Sequence, residues 1–261
     1  MIALSRGLRR MLAERSIRTG EAVAPTGLEA AERDRERLRR KGLLRRIHRE
    51  WHEAIAANLP DAPGEVLEIG SGSGFLRETL PEVATSDVRP LPWVEETFDA
   101  AAIPRRDASL AAIVAINAVH HLPDPRAFLV EAERVVRIGG RLLMLEPWPS
   151  RWSRWIYRRL HHEPFDERGP ATLRPGDPMG EANGALPWIV LERDPSPRFR
   201  AAWRPILARQ TMPLCYLLSG GLSMRPLAPG WAMPAIRRFE RASGLERQGL
   251  FRLLVFERTS S

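Results

Sequence analysis

Residues Glu65-Val-Leu-Glu-Ile-Gly-Ser-Gly-Ser-Gly74 decide the fold that this sequence predicts. The first five residues form a short apolar run typical of a buried parallel strand, and glycine then stands at every second position. Glycine at these positions lets the backbone adopt positive φ and approach a ligand closely. In an open α/β sheet, nucleotide-like ligands bind at the carboxyl ends of strands. We therefore expect an α/β fold with a ligand site at this glycine loop.

Further apolar runs predict a mostly parallel sheet whose strands alternate with helices. Strands are predicted over residues 65–69, 83–88, 98–103, 110–119, 141–147, 187–194, 206–214 and 251–258. A helix is expected directly after the glycine loop, and a helix shortened by two prolines is expected after the strand at 83–88. A further helix is expected from Asp124, its N-cap, to Gly139 and Gly140, its C-cap.

The chain before the glycine loop divides into two parts. Residues 1–41 are polar and arginine-rich, with charges of both signs at helical spacing, which predicts an arm or a solvated helix. Residues 42–58 carry apolar side chains at helical spacing, which predicts an amphipathic helix that packs on the core. We expect one domain over 42–261, with substrate-side inserts at about 147–190 and 213–250.

The spacing of the glycine loop bears on which cofactor binds there. A dinucleotide-binding loop has the spacing Gly-x-Gly-x-x-Gly, and Phe75 stands where its third glycine would be. This chain has Gly-x-Gly-x-Gly, preceded two positions earlier by Glu68. S-adenosylmethionine has no pyrophosphate but carries a cationic amino-acid tail, and a carboxylate at Glu68 suits that charge. The loop favours S-adenosylmethionine, with Gly70, Ser71, Gly72 and Gly74 forming its backbone contacts.

Three polar positions follow the later predicted strands. Asp87 ends the second strand. A carboxylate there can accept hydrogen bonds from both ribose hydroxyls, in a dinucleotide as well as in S-adenosylmethionine. Asp99 and Ala100 precede Ile103-Pro104, and the Asp99 carboxylate is expected to accept from the adenine amine. Asn117 ends the fourth strand. We expect all four of these residues to contact the cofactor.

Together these motifs resemble those of class I methyltransferases, the group that includes the ubiquinone and menaquinone C-methyltransferases and many small-molecule O-methyltransferases. The resemblance covers residues 64–146 and the strand at 251–258, and its last motif is Val119-His-His-Leu-Pro-Asp-Pro125. It implies a Rossmann-like class I methyltransferase fold: a mostly parallel seven-stranded sheet, helices on both faces and an inserted lid region. It also implies S-adenosyl-L-methionine as the cofactor. The usual Leu-Pro-Phe is replaced by Ile103-Pro-Arg105.

Two pairs of adjacent histidines are candidate catalytic groups. His120 and His121 follow the fourth strand, and His161 and His162 lie in the first insert. Histidine titrates near neutral pH, as a base that deprotonates a hydroxyl requires. Adjacent histidines on a helix point about 100° apart, so one ion is not easily held by both, and no metal is expected.

The composition limits the class of partner. The net charge is +8, and Lys41 is the sole lysine among 40 basic residues. An anionic partner and a compositional bias toward arginine both explain this charge. The single cysteine, Cys215, excludes a disulfide within the chain. No apolar run approaches the ~20 residues that span a bilayer. We expect a cytoplasmic protein that can also contact the inner face of a membrane.

The inserts bear on the methyl acceptor. Tryptophans and other apolar residues at about 147–190 and 213–250 suit an apolar substrate pocket. Arginines at 151–159 suit the anionic group of an amphipathic acceptor. The expected activity is methyl transfer to a small-molecule or lipid-like acceptor, first at oxygen and second at carbon. A scaffold without activity and a nucleic-acid methyltransferase are the alternatives. Asn117-Ala-Val-His120 lacks the Pro-Pro-aromatic motif typical of base amino methylation, which disfavours nucleic acid.

Overall fold

The computed structural model describes residues 27–160, 164–174 and 181–259, and it contains a seven-stranded sheet. The strands lie in the order β3-β2-β1-β4-β5-β7-β6. β1 to β5 pair in parallel, and β7 pairs antiparallel with both β5 and β6. The strands are β1 Glu65–Ile69, β2 Ala84–Asp87, β3 Glu96–Thr97, β4 Leu110–Ile116, β5 Val136–Pro147, β6 Trp203–Thr211 and β7 Phe251–Arg258.

Helices cover both faces of this sheet, as the sequence predicts. Their bounds are α1 Gly27–Arg40, α2 Gly42–Ala56, α3 Pro125–Val135, α4 Arg151–Arg159, α5 Leu186–Trp188, α6 Pro197–Ala202, α7 Cys215–Ser219 and α8 Met233–Ala242. Side chains alternate across each central strand, so Ile113 and Val114 of β4 enter opposite cores. One core contains α3, α5 and α6, and the other contains α2 and parts of α4, α7 and α8.

The N-terminal part of the described chain forms two successive helices. α2 matches the predicted amphipathic helix, and its residues Ile47, Trp51 and Ile55 are buried against the sheet. α1 is also ordered as a helix and buries Ala31 and Leu38. Residues 1–26 of the predicted arm lie outside the described residues. The expected boundary at 41/42 and the extent of the inserts stay predictions.

The two helices expected around β2 are absent from this fully described region. A single 3-10 turn, Leu76–Glu78, replaces the helix expected after the glycine loop, and no helix follows β2. Pro90 and Pro92 explain the second absence, because proline lacks the N–H that a helix interior needs. The strand expected at 98–103 is also wrong, since β3 has only two residues and ends before it.

Two further predictions, for the helix after Asp124 and for the strand at 187–194, are wrong in detail. α3 begins after Asp124, whose side chain caps it as predicted, but it ends at Val135. Gly139 and Gly140 instead lie in β5, at the place where the register of β5 shifts against β4. A β-carbon on Gly140 would stand 2.7 Å from the Ala111 carbonyl oxygen, so this close approach of the two strands requires glycine. The strand predicted at 187–194 is helical, because Pro187 occupies the first turn of α5 and a π-helical turn, Ile189–Arg193, continues it.

Candidate functional site

The glycine loop connects β1 to the 3-10 turn and is held against the end of β2. Gly70, Gly72 and Gly74 have φ of +64°, +49° and +67°, the left-handed region that favours glycine. The Ser71 amide donates to the Ser86 carbonyl at 2.8 Å, and the Gly72 amide donates to Asp87 Oδ2 at 3.0 Å. These bonds bring the two predicted ligand-binding segments together.

Glu68 lies beneath this loop and is 4% exposed. Its Oε2 is buried without a hydrogen-bond partner among the described residues. Burial is the main cause that raises the pKa of Glu68 to about 8 from its ordinary 4.5, and the nearby Asp87 charge raises it further. A buried carboxyl with an open acceptor favours a cationic or hydrogen-bond-donating ligand group.

Asp87 ends β2, as predicted, and is 4% exposed. Its carboxylate accepts from the Gly72 amide and from the Arg89 guanidinium, whose Nε lies 3.0 Å from Oδ1. Asp87 is thus both an anchor for the loop and a buried negative group at the ligand site. The Arg89 pair offsets part of the cost of burying that charge.

Asp99 and Asn117 flank the loop from the neighbouring strands. Asp99 is exposed, and its Oδ1 accepts from the Ala101 amide at 2.9 Å, whereas Ala100 beside it is buried. Asn117 has φ of +52°, which asparagine tolerates better than most residues, and its amide donates to the Leu145 carbonyl. Its side-chain Oδ1 is buried without a hydrogen-bond partner among the described residues.

His120 pairs with Glu146, a fully buried residue that the sequence analysis did not single out. Glu146 Oε2 lies 2.7 Å from His120 Nδ1, and Oε1 accepts from the Ala118 and Val119 amides. Because a carboxylate only accepts, Nδ1 of His120 carries the proton. Glu146 is the last residue but one of β5, next to the end of β4 in the sheet, so the pairing of these two strands was the signal that could have found it.

The other histidine candidates differ in what can be said of them. His121 stacks obliquely on His120, with ring centroids 4.2 Å apart. His161 and His162 lie outside the described residues. Two histidines that the sequence analysis missed, His48 and His52 on α2, stand four residues apart. Their i, i+4 spacing places both on one helix face and was the signal that could have found them.

One cavity of about 740 Å³ brings the predicted residues together. Within the described residues it is lined by every predicted cofactor position, by His120 and His121, and by His48 and His52. The predicted cofactor positions on its wall are Glu68, Gly70, Ser71, Gly72, Gly74, Asp87, Asp99, Ala100 and Asn117. No group of three His, Cys, Asp or Glu side chains among residues 27–160, 164–174 and 181–259 is placed to hold a metal ion.

The N-terminal helices close the outer side of this cavity. Arg35 of α1 donates to the Ser73 carbonyl, and its guanidinium lies 4.7 Å from the ring centroids of both Phe75 and Trp93. The Trp93 indole donates to the Gly72 carbonyl at 2.7 Å. We call Arg35, Phe75 and Trp93 the loop clasp. It covers the glycine loop where the two expected helices are absent.

Lys41, between α1 and α2, fixes a second part of the wall. Its Nζ donates to the carbonyls of Gly221, Leu222 and Met224 at 3.0, 3.2 and 2.6 Å. Lys41 is 6% exposed, so this ammonium is compensated by backbone oxygens. The contact joins the N-terminal helices to the second insert, whose loop also lines the cavity.

The donor and acceptor set suits S-adenosylmethionine. The unpartnered oxygens of Glu68 and Asn117 can accept hydrogen bonds from the ammonium group of its amino-acid tail. Asp87 places a buried carboxylate on the cavity wall at the end of β2, and the three left-handed glycines of the loop add no side chain to that wall. The strand order, with β7 antiparallel, together with this site defines a class I methyltransferase.

Comparison with known proteins gives the family. Residues 39–173, about half of the chain, match the family of methyltransferase domains. An uncharacterized methyltransferase of Mycobacterium tuberculosis is 33% identical over 141 residues, which cover 49% of this chain and 54% of that protein. The chain thus spans about half the length of the curated relatives it matches.

Solved structures with the same fold are more distant in sequence. A Haloferax volcanii methyltransferase structure, in complex with the Trm112 activator, aligns with a TM-score of 0.53 and 17% identity over 89% of this chain and 96% of that chain. A geranyl diphosphate C-methyltransferase from Streptomyces coelicolor aligns with a TM-score of 0.50 and 13% identity, over 98% of each chain. This chain belongs to the class I S-adenosylmethionine-dependent methyltransferases.

Proposed function

We propose that this chain transfers the methyl group of S-adenosylmethionine to a hydroxyl oxygen of a small apolar or lipid-like acceptor. The observation that carries this proposal is that one continuous cavity joins the glycine loop to an apolar compartment. The apolar lining comes largely from α4, α7 and the loops beside them, and includes Ile156, Leu160, Leu217, Leu222, Leu250 and Phe251. Such a wall binds apolar surface and excludes water from the reaction.

The residues around the glycine loop are proposed to hold the cofactor, which supplies an electrophilic methyl group when bound. Glu68 and Asn117 accept from its ammonium group, and Asp87 accepts from its ribose. Asp99 and Ala100 lie beside its adenine, and the backbone of Gly70, Ser71, Gly72 and Gly74 follows its tail. Fixed positions for donor and acceptor lower the barrier of an in-line transfer, because the two groups no longer lose freedom of motion when they react.

His120 is proposed to take the proton of the acceptor hydroxyl. Glu146 accepts from Nδ1, so the lone pair of the imidazole is at Nε2, and the buried carboxylate stabilises the imidazolium that forms. The acceptor oxygen gains the methyl group as it loses its proton to Nε2. Catalytic roles for His121, His161 and His162 stay predictions.

The test uses S-adenosylmethionine labelled in its methyl group, with phenolic and lipid extracts as acceptors. We expect organic-soluble label, and its release as volatile methyl iodide on treatment with hydriodic acid, which cleaves methyl ethers but not carbon–methyl bonds. Label that resists this treatment would contradict oxygen as the acceptor atom. A lack of transfer to any extract, with cofactor bound, would favour the scaffold alternative.

A peripheral membrane contact stays a separate prediction. Trp155 on α4 is 43% exposed, stacks on Trp152 with centroids 5.4 Å apart, and lies under the Arg159 guanidinium. Aromatic and arginine side chains on one short helix suit an anionic membrane interface. No helix among the described residues is long and apolar enough to cross a membrane. Sedimentation with anionic and neutral vesicles, wild type against Trp155→Ala, checks the prediction.

A further inference from the structure

Two histidines of α2 face the cavity, and the His48 ring also packs on the buried Trp51 with ring centroids 4.9 Å apart. His48 and His52 both line the cavity that contains the glycine loop, and their ring centroids lie 6.0 Å apart. His52 is 5% exposed. Neither histidine is among the described residues whose buried side-chain nitrogens lack a partner. Two adjacent imidazoles on a cavity wall offer their ring nitrogens to a ligand in that cavity.

The surroundings of this pair keep both imidazoles neutral. Burial lowers the pKa of His48 to about 3 and that of His52 to about 4, and the nearby His52 lowers the pKa of His48 further. Arg45 and Arg49 line a second cavity together with both histidines, and Arg45 is paired with Glu78 at 3.0 Å. A neutral imidazole offers one nitrogen that accepts a hydrogen bond. The pair therefore suits a neutral donor group better than an anion.

We propose that His48 and His52 form a recognition site for a neutral hydroxyl group of the methyl acceptor. The inference rests on the proposed function and names its substrate class: an uncharged apolar molecule that carries a hydrogen-bond donor. The site is distinct in position from the His120–Glu146 pair, which lies at the ends of β4 and β5. A pocket that hydrogen-bonds a substrate hydroxyl discriminates against analogues that lack it, because its own polar atoms are then left unpaired.

The test measures ligand affinity in protein loaded with S-adenosylhomocysteine, so no turnover is needed. The probes are 1-naphthol, its methyl ether 1-methoxynaphthalene, and the anion 1-naphthoate. We expect wild type to bind 1-naphthol about tenfold or more tightly than the ether, since the ether has no donor, and to bind the carboxylate most weakly. Similar affinities for naphthol and ether, tighter binding of naphthoate, or no binding of naphthol would each overturn the inference.

Substitutions test whether the preference for naphthol arises from His48 and His52. His52→Phe and His48→Phe keep a ring but remove the nitrogens, and we expect the preference for naphthol over the ether to fall to about twofold or less, with the affinity for the ether retained. Arg46→Ala, on the exposed side of the same helix, is the matched control and should keep the preference. An unchanged preference in both histidine variants would contradict the proposal. If a phenylalanine variant does not fold, His48→Leu and His52→Leu take its place, because His120 alone could also give wild type a preference for naphthol.

The design separates this inference from the function on which it rests. Binding of S-adenosylhomocysteine is measured first, and its failure in folded protein would contradict the proposed function itself. Binding of the cofactor product without the naphthol preference would contradict only the role of His48 and His52.

Discussion

The loop clasp makes a quantitative prediction about cofactor affinity. Arg35→Ala removes one hydrogen bond to the Ser73 carbonyl and two guanidinium–ring contacts at 4.7 Å, to Phe75 and Trp93. Each such ring contact is worth about 0.5–1 kcal/mol at a partly exposed site, and the hydrogen bond adds roughly 1 kcal/mol. The clasp therefore contributes about 2 kcal/mol to holding the glycine loop in its observed conformation.

That contribution should appear mainly in the affinity for S-adenosylmethionine. A loop without the clasp must be ordered when the cofactor binds, and ordering costs part of the binding free energy. A loss of about 2 kcal/mol corresponds to a dissociation constant raised roughly thirtyfold. Isothermal titration of Arg35→Ala and wild type measures this change directly. Arg35→Lys keeps the charge but not the planar group, and should recover only a small part of the affinity.

The control is Arg33→Ala, which removes an exposed arginine from the same helix. It should bind the cofactor as wild type does, so that any effect of net charge or of helix propensity is accounted for. A dissociation constant for Arg35→Ala within twofold of wild type, in protein of unchanged thermal stability, would refute the role of the clasp.

Three further predictions concern buried polar groups. The pKa of Glu68 is raised to about 8 in the folded protein, so its stabilising contribution is full below its ordinary pKa of 4.5 and is lost as pH rises to about 8. The difference in unfolding free energy between wild type and Glu68→Gln should therefore fall between pH 4.5 and pH 8. A difference that stays constant over this range would disprove the pKa shift. Lys41→Met leaves three carbonyls without their donor and should cost about 3 kcal/mol of unfolding free energy, whereas the exposed Arg40→Met should cost less than about 0.5. Glu146→Gln offers an amide donor to His120 Nδ1 and should lower kcat roughly 10²–10⁴-fold at an unchanged cofactor affinity; equal kcat values would exclude His120 as the base.

Periodicity and turn chemistry predicted the centre of the fold well. The strands at 65–69 and 251–258 have the bounds that their apolar runs indicate, and Asp124 caps α3. These features are local, because a strand run or an N-cap is defined by its own few residues. The glycine loop is local in the same sense, which is why its spacing alone favoured one cofactor.

The errors arose where tertiary contacts decide between local alternatives. Gly139 and Gly140 suit a helix end as well as a strand bulge, and pairing with β4 selects the bulge. The apolar run at 187–194 fits either a buried strand or a buried helix, and packing under the sheet selects the helix.

Several site features depend on contacts between segments far apart in sequence. Glu146 meets His120 across 26 residues, and Arg35 meets Ser73 across 38. No sequence pattern within one segment predicts which residue of the other segment it contacts. His48 and His52 were the exception, because their spacing of four was visible in the sequence and only their exposure to the cavity was not.

Isothermal titration of S-adenosylmethionine, with NADH beside it, tests the central claim most directly. A β-carbon on Gly72 would meet only the Gly70 carbonyl oxygen, at 3.8 Å, so Gly72→Arg disturbs its protein neighbours little, although φ of +49° disfavours a side chain. The arginine side chain would then occupy ligand space. The account predicts micromolar binding of S-adenosylmethionine by wild type, none by Gly72→Arg, and none of NADH by either. Binding of neither ligand by folded wild type, or equal binding of S-adenosylmethionine by the variant, would contradict it.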